Sequence, residues 1–142
     1  MKVLVVDDEM PARTRLCALL QDLGGYQVCG EAANGREALQ LSEAEQPDVL
    51  LLDIRMPGMD GLEAARHLQL LEQPPAIIFT TAYNDYALQA FETHAVDYLL
   101  KPVRKERLED ALRHAQRLTR VQAATLLEVE VQTGERQCIC AN

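Results

Sequence analysis

Five short aliphatic runs alternate with helical patterns along this chain, and the alternation restricts the fold more than any other feature of the sequence. KVLVV and DVLLLD are apolar almost throughout, which is typical of strands that are buried on both faces of a sheet. The segments between the runs repeat apolar residues every three or four positions, as amphipathic helices do. The pattern therefore predicts strands at residues 2–6, 26–31, 48–53, 76–80 and 97–100.

Helices are predicted between successive strands and after the last one. The first carries Leu16, Leu19 and Leu23 on one stripe and ends before two glycines. Strands joined by crossover helices form a parallel sheet with helices on both faces. Five such strands fit the α/β, flavodoxin-like doubly wound (βα)5 architecture with sheet order 2-1-3-4-5. The remaining helices are predicted at residues 35–46, 61–72, 84–94 and 103–119.

Charge and hydropathy exclude several classes of function. The 142 residues carry a net charge of −8, and an acidic surface repels phosphate backbones, so this chain is not expected to bind nucleic acid by itself. No apolar run approaches the roughly 18 residues that a membrane span needs. The N-terminal run ends in three acids with no small-residue cleavage site, which argues against a secretory signal. We therefore expect a cytoplasmic protein without a membrane partner.

Polar side chains stand at the carboxyl ends of four predicted strands. In an open parallel sheet these ends lie along one edge, and ligands bind there at the point where the strand order reverses. A single polar residue at a strand end often does no more than border solvent, but four chemically complementary ends indicate a site. They are Asp7 and Asp8 after strand one, Asp53 at the end of strand three, Thr80 and Thr81 at the end of strand four, and Lys101 after strand five.

The side chains at this edge match the requirements of covalent phosphoryl transfer. Three carboxylates at one edge repel one another unless a cation neutralises them, and an oxygen-only ligand set suits Mg²⁺. A carboxylate nucleophile, a hydroxyl and an ammonium group complete the set, which assigns the nucleophile to Asp53 and phosphoryl contacts to Thr81 and Lys101. Thr80 competes for the hydroxyl role, but strand alternation turns it to the other side.

The segments VLVVDDE, LLDIRMPGMDG, TTA and YLLKP, in this order and spacing, resemble the receiver domain of two-component response regulators. The resemblance covers residues 1 to about 118. It implies that Asp53 is the phosphorylated residue and that Mg²⁺ is the cofactor. The site residues that it implies are Asp8, Asp53 and the backbone carbonyl of Arg55 as metal ligands, Asp7 acting through water, Thr81, Tyr98 and Lys101 as switch and phosphate-binding residues, and a cis peptide bond between Lys101 and Pro102.

The stretch TAYNDYALQAFETHAVDYLLKP is similar to receivers of the LytTR type, which include regulators of alginate biosynthesis. This resemblance implies a sensor histidine kinase as the phosphoryl donor and a homodimer on activation. It also implies contact with DNA only through a C-terminal domain that is absent from this chain. Such a receiver is itself the acceptor of the donor's phosphoryl group, and we do not expect it to be an enzyme that acts on a separate substrate. Arg55 and Tyr83 flank the site where receivers vary, and there they would tune the access of water to the acyl phosphate.

The segment after residue 119 has a different pattern. LEVEVQ alternates with period two, TG indicates a turn, and RQCICAN alternates weakly. A hairpin, a linker and the opening strand of a missing domain all fit this pattern. We expect residues 1–119 to form the receiver and residues 120–142 to be a linker or the truncated start of a downstream domain, while a natural stand-alone receiver stays possible.

Three other functions are compatible with a fold of this class. A phosphatase with an aspartyl-phosphate intermediate usually has a second acid two residues after the nucleophile, where this chain has Arg55. A flavin mononucleotide binder needs Ser, Thr and Gly amides after strand one, where this chain has DDEMP. A module that interacts without phosphorylation would not need the acids, Thr81 and Lys101.

Overall fold

The computed structural model describes the backbone of residues 1–132 and the side chains of residues 1–118 apart from position 88. Strands and helices alternate in the described part of the chain, as the sequence predicts. The elements are β1 Lys2–Val6, α1 Met10–Leu23, β2 Gln27–Ala32, α2 Gly35–Glu45, β3 Val49–Asp53, α3 Gly61–Leu68, β4 Ala76–Thr81, α4 Ala87–Glu92, β5 Asp97–Leu100 and α5 Lys105–Gln132.

The five strands form one parallel sheet in the order β2-β1-β3-β4-β5. This confirms the doubly wound, flavodoxin-like prediction. β1 and β3 are central, and β3 is buried along its whole length, including its final residue Asp53. In the register of β3 with β4, Asp53 lies beside Thr80, so Thr81 stands one residue further toward the carboxyl edge. The sheet order therefore brings the ends of β1, β3, β4 and β5 to the same edge.

Aliphatic side chains of the central strands form the core. Leu4 of β1 and Leu50 and Leu52 of β3 are fully buried. Each fully buried aliphatic side chain stabilises the fold by about 1.5–3 kcal/mol relative to exposure. The strands that end at the carboxyl edge of the sheet are thus anchored in this core. The core also includes Val6, Ile54, Leu62, Leu68, Ile77 and Phe79, with Tyr86 and Tyr98 packed against it.

Two helices, α2 and α3, begin with side-chain caps. The Asn34 side chain accepts a hydrogen bond from the amide of Glu37 at 2.9 Å, and Asp60 accepts one from the amide of Glu63 at 2.9 Å. Such caps stabilise a helix by about 1 kcal/mol. Gly61 follows the second cap, and its amide donates to the carbonyl of Ile54 at 2.7 Å. The Asp60 cap and the Gly61 bond therefore fix where the loop after β3 ends.

The bounds of three helices differ from the predicted ones by more than one residue. α3 ends at Leu68 instead of residue 72, because the amides of Leu70 and Leu71 bond only three residues back in tight turns. α4 covers only Ala87–Glu92 of the predicted 84–94 and has no side-chain cap at its start. α5 begins at Lys105 and continues past residue 119.

The hairpin or strand that the pattern allows directly after residue 119 is not formed up to Gln132, where α5 is still helical, while the linker alternative stays a prediction. The segment RVQAATLLEVEVQ is rich in Ala, Leu, Glu and Gln and contains no Gly or Pro, so helix propensity outweighs six residues of period-two alternation. Residues 133–142, with the predicted turn and the weakly alternating end, lie outside the described residues.

The chain divides into two units, Met1–Ala111 and Leu112–Asn142. The first contains the whole sheet and the four crossover helices. In the second, the described residues continue α5 to Gln132. The boundary at residue 119 between a receiver and a downstream segment stays a prediction. Among the described helices, none combines the length and the apolarity that a membrane crossing demands.

Candidate metal centre

Asp7, Asp8 and Asp53 meet at the carboxyl edge of the sheet. Each offers a carboxylate oxygen, and these oxygens lie within 4.8 Å of one another. Asp7 is fully buried and its amide donates to the carbonyl of Ala32 at 3.0 Å, which extends the pairing of β1 with β2 by one residue. Asp53 is 5% exposed, whereas Asp8 faces solvent. The cluster thus has two acids anchored in the sheet and one at an open rim.

Lys101 faces two of these acids. Its Nζ lies 2.7 Å from Oδ2 of Asp7 and 3.6 Å from Oδ1 of Asp53. Burial lowers the pKa of Lys101, but the hydrogen bond to Asp7 and the charge of Asp53 outweigh it, so the pKa is raised overall. Lys101 is therefore a cation at any physiological pH. The Lys101–Pro102 peptide bond that follows β5 is cis.

The charge at Asp53 is not fully balanced by the protein. Desolvation by burial and the neighbouring Asp7 raise the pKa of Asp53 from 3.8 to about 7, although Lys101 acts in the opposite direction. A carboxylate that holds its proton near neutrality in a cluster of acids is a place where a cation is needed. The three oxygen donors, without imidazole or thiolate in this cluster, fit Mg²⁺, which takes few protein ligands and keeps several waters.

Arg13 supports the acid pair, and sequence reasoning did not identify it. From the first turns of α1 its Nη1 donates to the backbone carbonyl of Asp7 at 2.6 Å, and its Nε lies 3.2 Å from Glu31. The bond fixes the backbone from which Asp7 and Asp8 project. A contact to a carbonyl has no sequence signature, so only the position of Arg13 one helical turn after the acids could have suggested it.

The hydroxyls of Thr80 and Thr81 have different surroundings. Both residues are buried, but Thr81 Oγ1 accepts a hydrogen bond from the amide of Tyr83 at 3.2 Å, while Thr80 Oγ1 is buried without a hydrogen-bond partner. The amide of Lys101 donates to the carbonyl of Thr81 at 2.7 Å. Thr81 is thus linked through its backbone to Lys101 and through its side chain to the loop after β4.

Tyr98 lies on β5, and its hydroxyl is held by the same loop. The hydroxyl donates to the carbonyl of Tyr83 and accepts from the amide of Tyr86 at 3.3 Å. The guanidinium carbon of Arg55 lies 4.3 Å from the centroid of the Tyr83 ring, within the range of a cation–π contact. The sequence placed Arg55 and Tyr83 beside the site but gave no indication that they contact each other.

This architecture, with three acids and a lysine at the switch point of a doubly wound sheet, is that of a signalling receiver. Residues 3–113 match the response regulator receiver domain family, and the chain belongs to that family. The sequence-based resemblance is therefore confirmed.

Two curated relatives are similar to this chain in sequence. The chain is 52% identical over 135 residues to the positive alginate biosynthesis regulatory protein of Pseudomonas aeruginosa, covering 94% of this chain and 54% of that protein. It is 43% identical over 112 residues to the transcriptional regulatory protein LytR of Staphylococcus aureus, covering 79% of this chain and 46% of that protein. The chain thus spans about half the length of these relatives.

Solved structures give the same fold. The response regulatory domain of protein mrkE from Klebsiella pneumoniae superposes with a TM-score of 0.74 at 32% identity, covering 85% of this chain and 97% of that one. The signal receiver domain of a modulated diguanylate cyclase from Desulfovibrio desulfuricans superposes with a TM-score of 0.77 at 31% identity, covering 85% and 97%.

Proposed function

We propose that this receiver accepts a phosphoryl group on Asp53 with Mg²⁺ bound beside it. The observation that carries the proposal is the convergence of Asp7, Asp8, Asp53 and Lys101 at one edge, with Asp53 ending the central strand. Asp8, Asp53 and the backbone carbonyl of Arg55 would ligate the ion, and Asp7 would act through water. When bound, Mg²⁺ supplies positive charge that neutralises the carboxylates and the oxygens of an incoming phosphoryl group.

Asp53 would attack the phosphorus of a donor in line. A carboxylate oxygen forms the new bond to phosphorus, and the bond to the donor breaks, with the electron pair leaving on the imidazole nitrogen of a phosphohistidine or on the carboxylate of an acyl phosphate. Lys101 lies close enough to Asp53 to pair with a phosphoryl oxygen, and Thr81 has a hydroxyl hydrogen to donate to another. Asp53 of this chain would itself be the phosphoryl acceptor, and hydrolysis of the acyl phosphate would restore its free carboxylate.

Phosphorylation would then bias two packings of the surface formed by α4, β5 and the start of α5. Thr81 would move toward the phosphoryl group and Tyr98 would change position in response. This is a population shift driven by contacts that exist only in the phosphorylated state. Phe91 on α4 and Leu100 on β5 are exposed, at 77% and 49%, and would be available to a dimer contact on this surface.

The biological setting follows from the relatives and belongs to the proposal. This protein would be cytoplasmic, a sensor histidine kinase would be the donor, and a homodimer would form on activation. The names of the two curated relatives describe regulators of alginate biosynthesis and of transcription. A DNA-binding domain C-terminal to this segment would therefore give the output in the full-length protein.

Mass spectrometry after treatment with an acyl phosphate tests the proposal. The wild-type chain should gain one phosphoryl group only with Mg²⁺ present, and Asp53→Ala should gain none. Asp22→Asn is the matched control, because Asp22 is an exposed aspartate that pairs with Lys105, and it should label like the wild type. Labelling of Asp53→Ala at the wild-type rate would remove Asp53 from the role.

A further inference from the structure

A single residue, Tyr83, holds both members of the proposed switch pair. Its amide donates to Oγ1 of Thr81 at 3.2 Å, and its carbonyl accepts from the hydroxyl of Tyr98. Thr81 lies on β4 and Tyr98 on β5, so the two donor–acceptor pairs join neighbouring strands through one peptide segment. The two groups flank the same Cα, so a displacement of Tyr83 as a whole changes the geometry of both bonds together.

Side-chain contacts fix the position of Tyr83. The Arg55 guanidinium lies over one face of its ring at 4.3 Å, and the ring of Tyr86 meets it edge to face, with centroids 6.5 Å apart and planes at 84°. The amide of Tyr86 also donates to the Tyr98 hydroxyl at 3.3 Å. The helix α4, which follows this segment, begins without a side-chain cap, and Tyr83 itself is 44% exposed, so neither a cap nor burial holds the segment in place.

We propose that Arg55 and Tyr83 form a latch that positions Thr81 and Tyr98, so that the side chain of Arg55 couples the loop after Asp53 to the switch pair. The inference rests on the proposed function, since Thr81 and Tyr98 have a signalling role only if Asp53 is phosphorylated. Arg55 is a positioning residue here, and it acts through the Tyr83 ring. At most about 7 Å of backbone separates it from Asp53, so the latch adjoins the site of reaction.

The size of the effect follows from the contact. An exposed cation–π pair changes an equilibrium between two conformations by roughly two- to fivefold. Removing Arg55 should therefore shift the ratio of Tyr98 positions by this factor in the unphosphorylated protein. Removing the Tyr83 ring should shift it further, because the edge-to-face contact with Tyr86 is lost as well. Arg55 and Tyr83 are both solvent-exposed, so these substitutions spare the core.

Fluorine NMR of the full chain labelled with fluorotyrosine gives the readout. The chain has four tyrosines, Tyr26, Tyr83, Tyr86 and Tyr98, and single Tyr→Phe variants assign their resonances. Without phosphoryl donor, Arg55→Ala and Tyr83→Ala should move or broaden the Tyr98 resonance. Tyr83→Phe keeps the ring and Arg55→Lys keeps the cation, so both should stay close to the wild type. The Tyr26 resonance should not move in any of the Arg55 and Tyr83 variants.

Arg36→Ala is the control for charge. Arg36 is exposed and lines the cleft beside Asp8, so its removal changes the charge near the site by the same amount without touching a ring. An equal shift of Tyr98 in Arg36→Ala would overturn the latch in favour of a general charge effect. An unchanged Tyr98 resonance in Arg55→Ala, in a chain whose Asp53 labels normally, would overturn the latch alone. Absence of labelling in the wild type would instead overturn the proposed function.

Discussion

Replacing Asp53 by Asn should stabilise the metal-free protein at neutral and alkaline pH, although it removes the residue on which the proposed reaction depends. Asp53 is 5% exposed and shares its edge with Asp7 and Asp8. Burial first, and the charge of Asp7 second, raise its pKa from 3.8 to about 7. Between these two values the folded protein holds a proton that the unfolded chain has lost. Asn has the same shape without a charge to bury.

The sign and the size follow from linkage. Because the folded pKa is raised, the contribution of Asp53 to the free energy of unfolding is fully present below the unfolded pKa and is lost as pH rises through the folded pKa. The loss has a slope of about 1.4 kcal/mol per pH unit at most. Over the whole window this slope gives a ceiling of about 4 kcal/mol, which solvent screening and relaxation at a site open to water reduce to about 1–2 kcal/mol.

Urea denaturation with a chelator present checks this prediction. At about pH 8 Asp53→Asn should be more stable than the wild type by about 1–2 kcal/mol, and near pH 4 the difference should vanish. Added Mg²⁺ should stabilise the wild type but not the variant. Asp22→Asn, an exposed control, should change little at either pH. If Asp53→Asn proved less stable than the wild type in chelator at the higher pH, the argument that Asp53 is an uncompensated buried acid would be refuted.

Three further predictions concern the support of the site. Asp7→Asn should destabilise the fold by about 1–3 kcal/mol in urea denaturation, because it leaves the partly buried Lys101 without its nearer partner. Arg13→Ala should weaken Mg²⁺ binding about tenfold by calorimetry, because it frees the carbonyl of Asp7. Gly61→Ala should cost about 1–3 kcal/mol and lower Mg²⁺ affinity, since its Cβ would stand 2.1 Å from the carbonyl oxygen of Asp53.

Each of these predictions has an outcome that contradicts it. Wild-type stability of Asp7→Asn would show that the Lys101 ammonium does not depend on Asp7. Equal losses of Mg²⁺ affinity in Arg13→Ala and Arg36→Ala would indicate an effect of net charge rather than of the carbonyl contact. Unchanged stability and affinity in Gly61→Ala would mean that the loop after β3 yields to the extra methyl group.

The sheet and the acid cluster were predictable from the sequence because they depend on strong, local signals. The apolar runs of β1 and β3 require burial on both faces, and the parallel topology then brings Asp7, Asp53 and Lys101 to one edge. Helix ends were less predictable. The length of α4 depends on whether backbone groups find partners in space, and the amide of Tyr86 bonds the Tyr98 hydroxyl on another strand.

The supporting contacts of the site could not be read from the sequence at all. The bond from Arg13 to the carbonyl of Asp7 and the stacking of Arg55 on Tyr83 depend on side-chain rotamers and on the distance between loops. Neither has a spacing rule like the helical or strand periodicities. The period-two alternation after residue 119 is a misleading signal for a strand. Up to Gln132 the helix propensity of the same residues outweighs it.

The ammonium of Lys101 joins parts of the sheet that the backbone ladders keep apart. β5 is an edge strand of the sheet, and two strands, β3 and β4, separate it from β1. Even so, Lys101, which follows β5, pairs with Asp7, which follows β1. Asp53 lies between these two ends and competes for the same ammonium at 3.6 Å. Additional negative charge at Asp53 would attract the Lys101 ammonium toward Asp53 and weaken its contact with Asp7. A phosphoryl group on Asp53 would therefore change the contact between the end of the edge strand β5 and the end of β1.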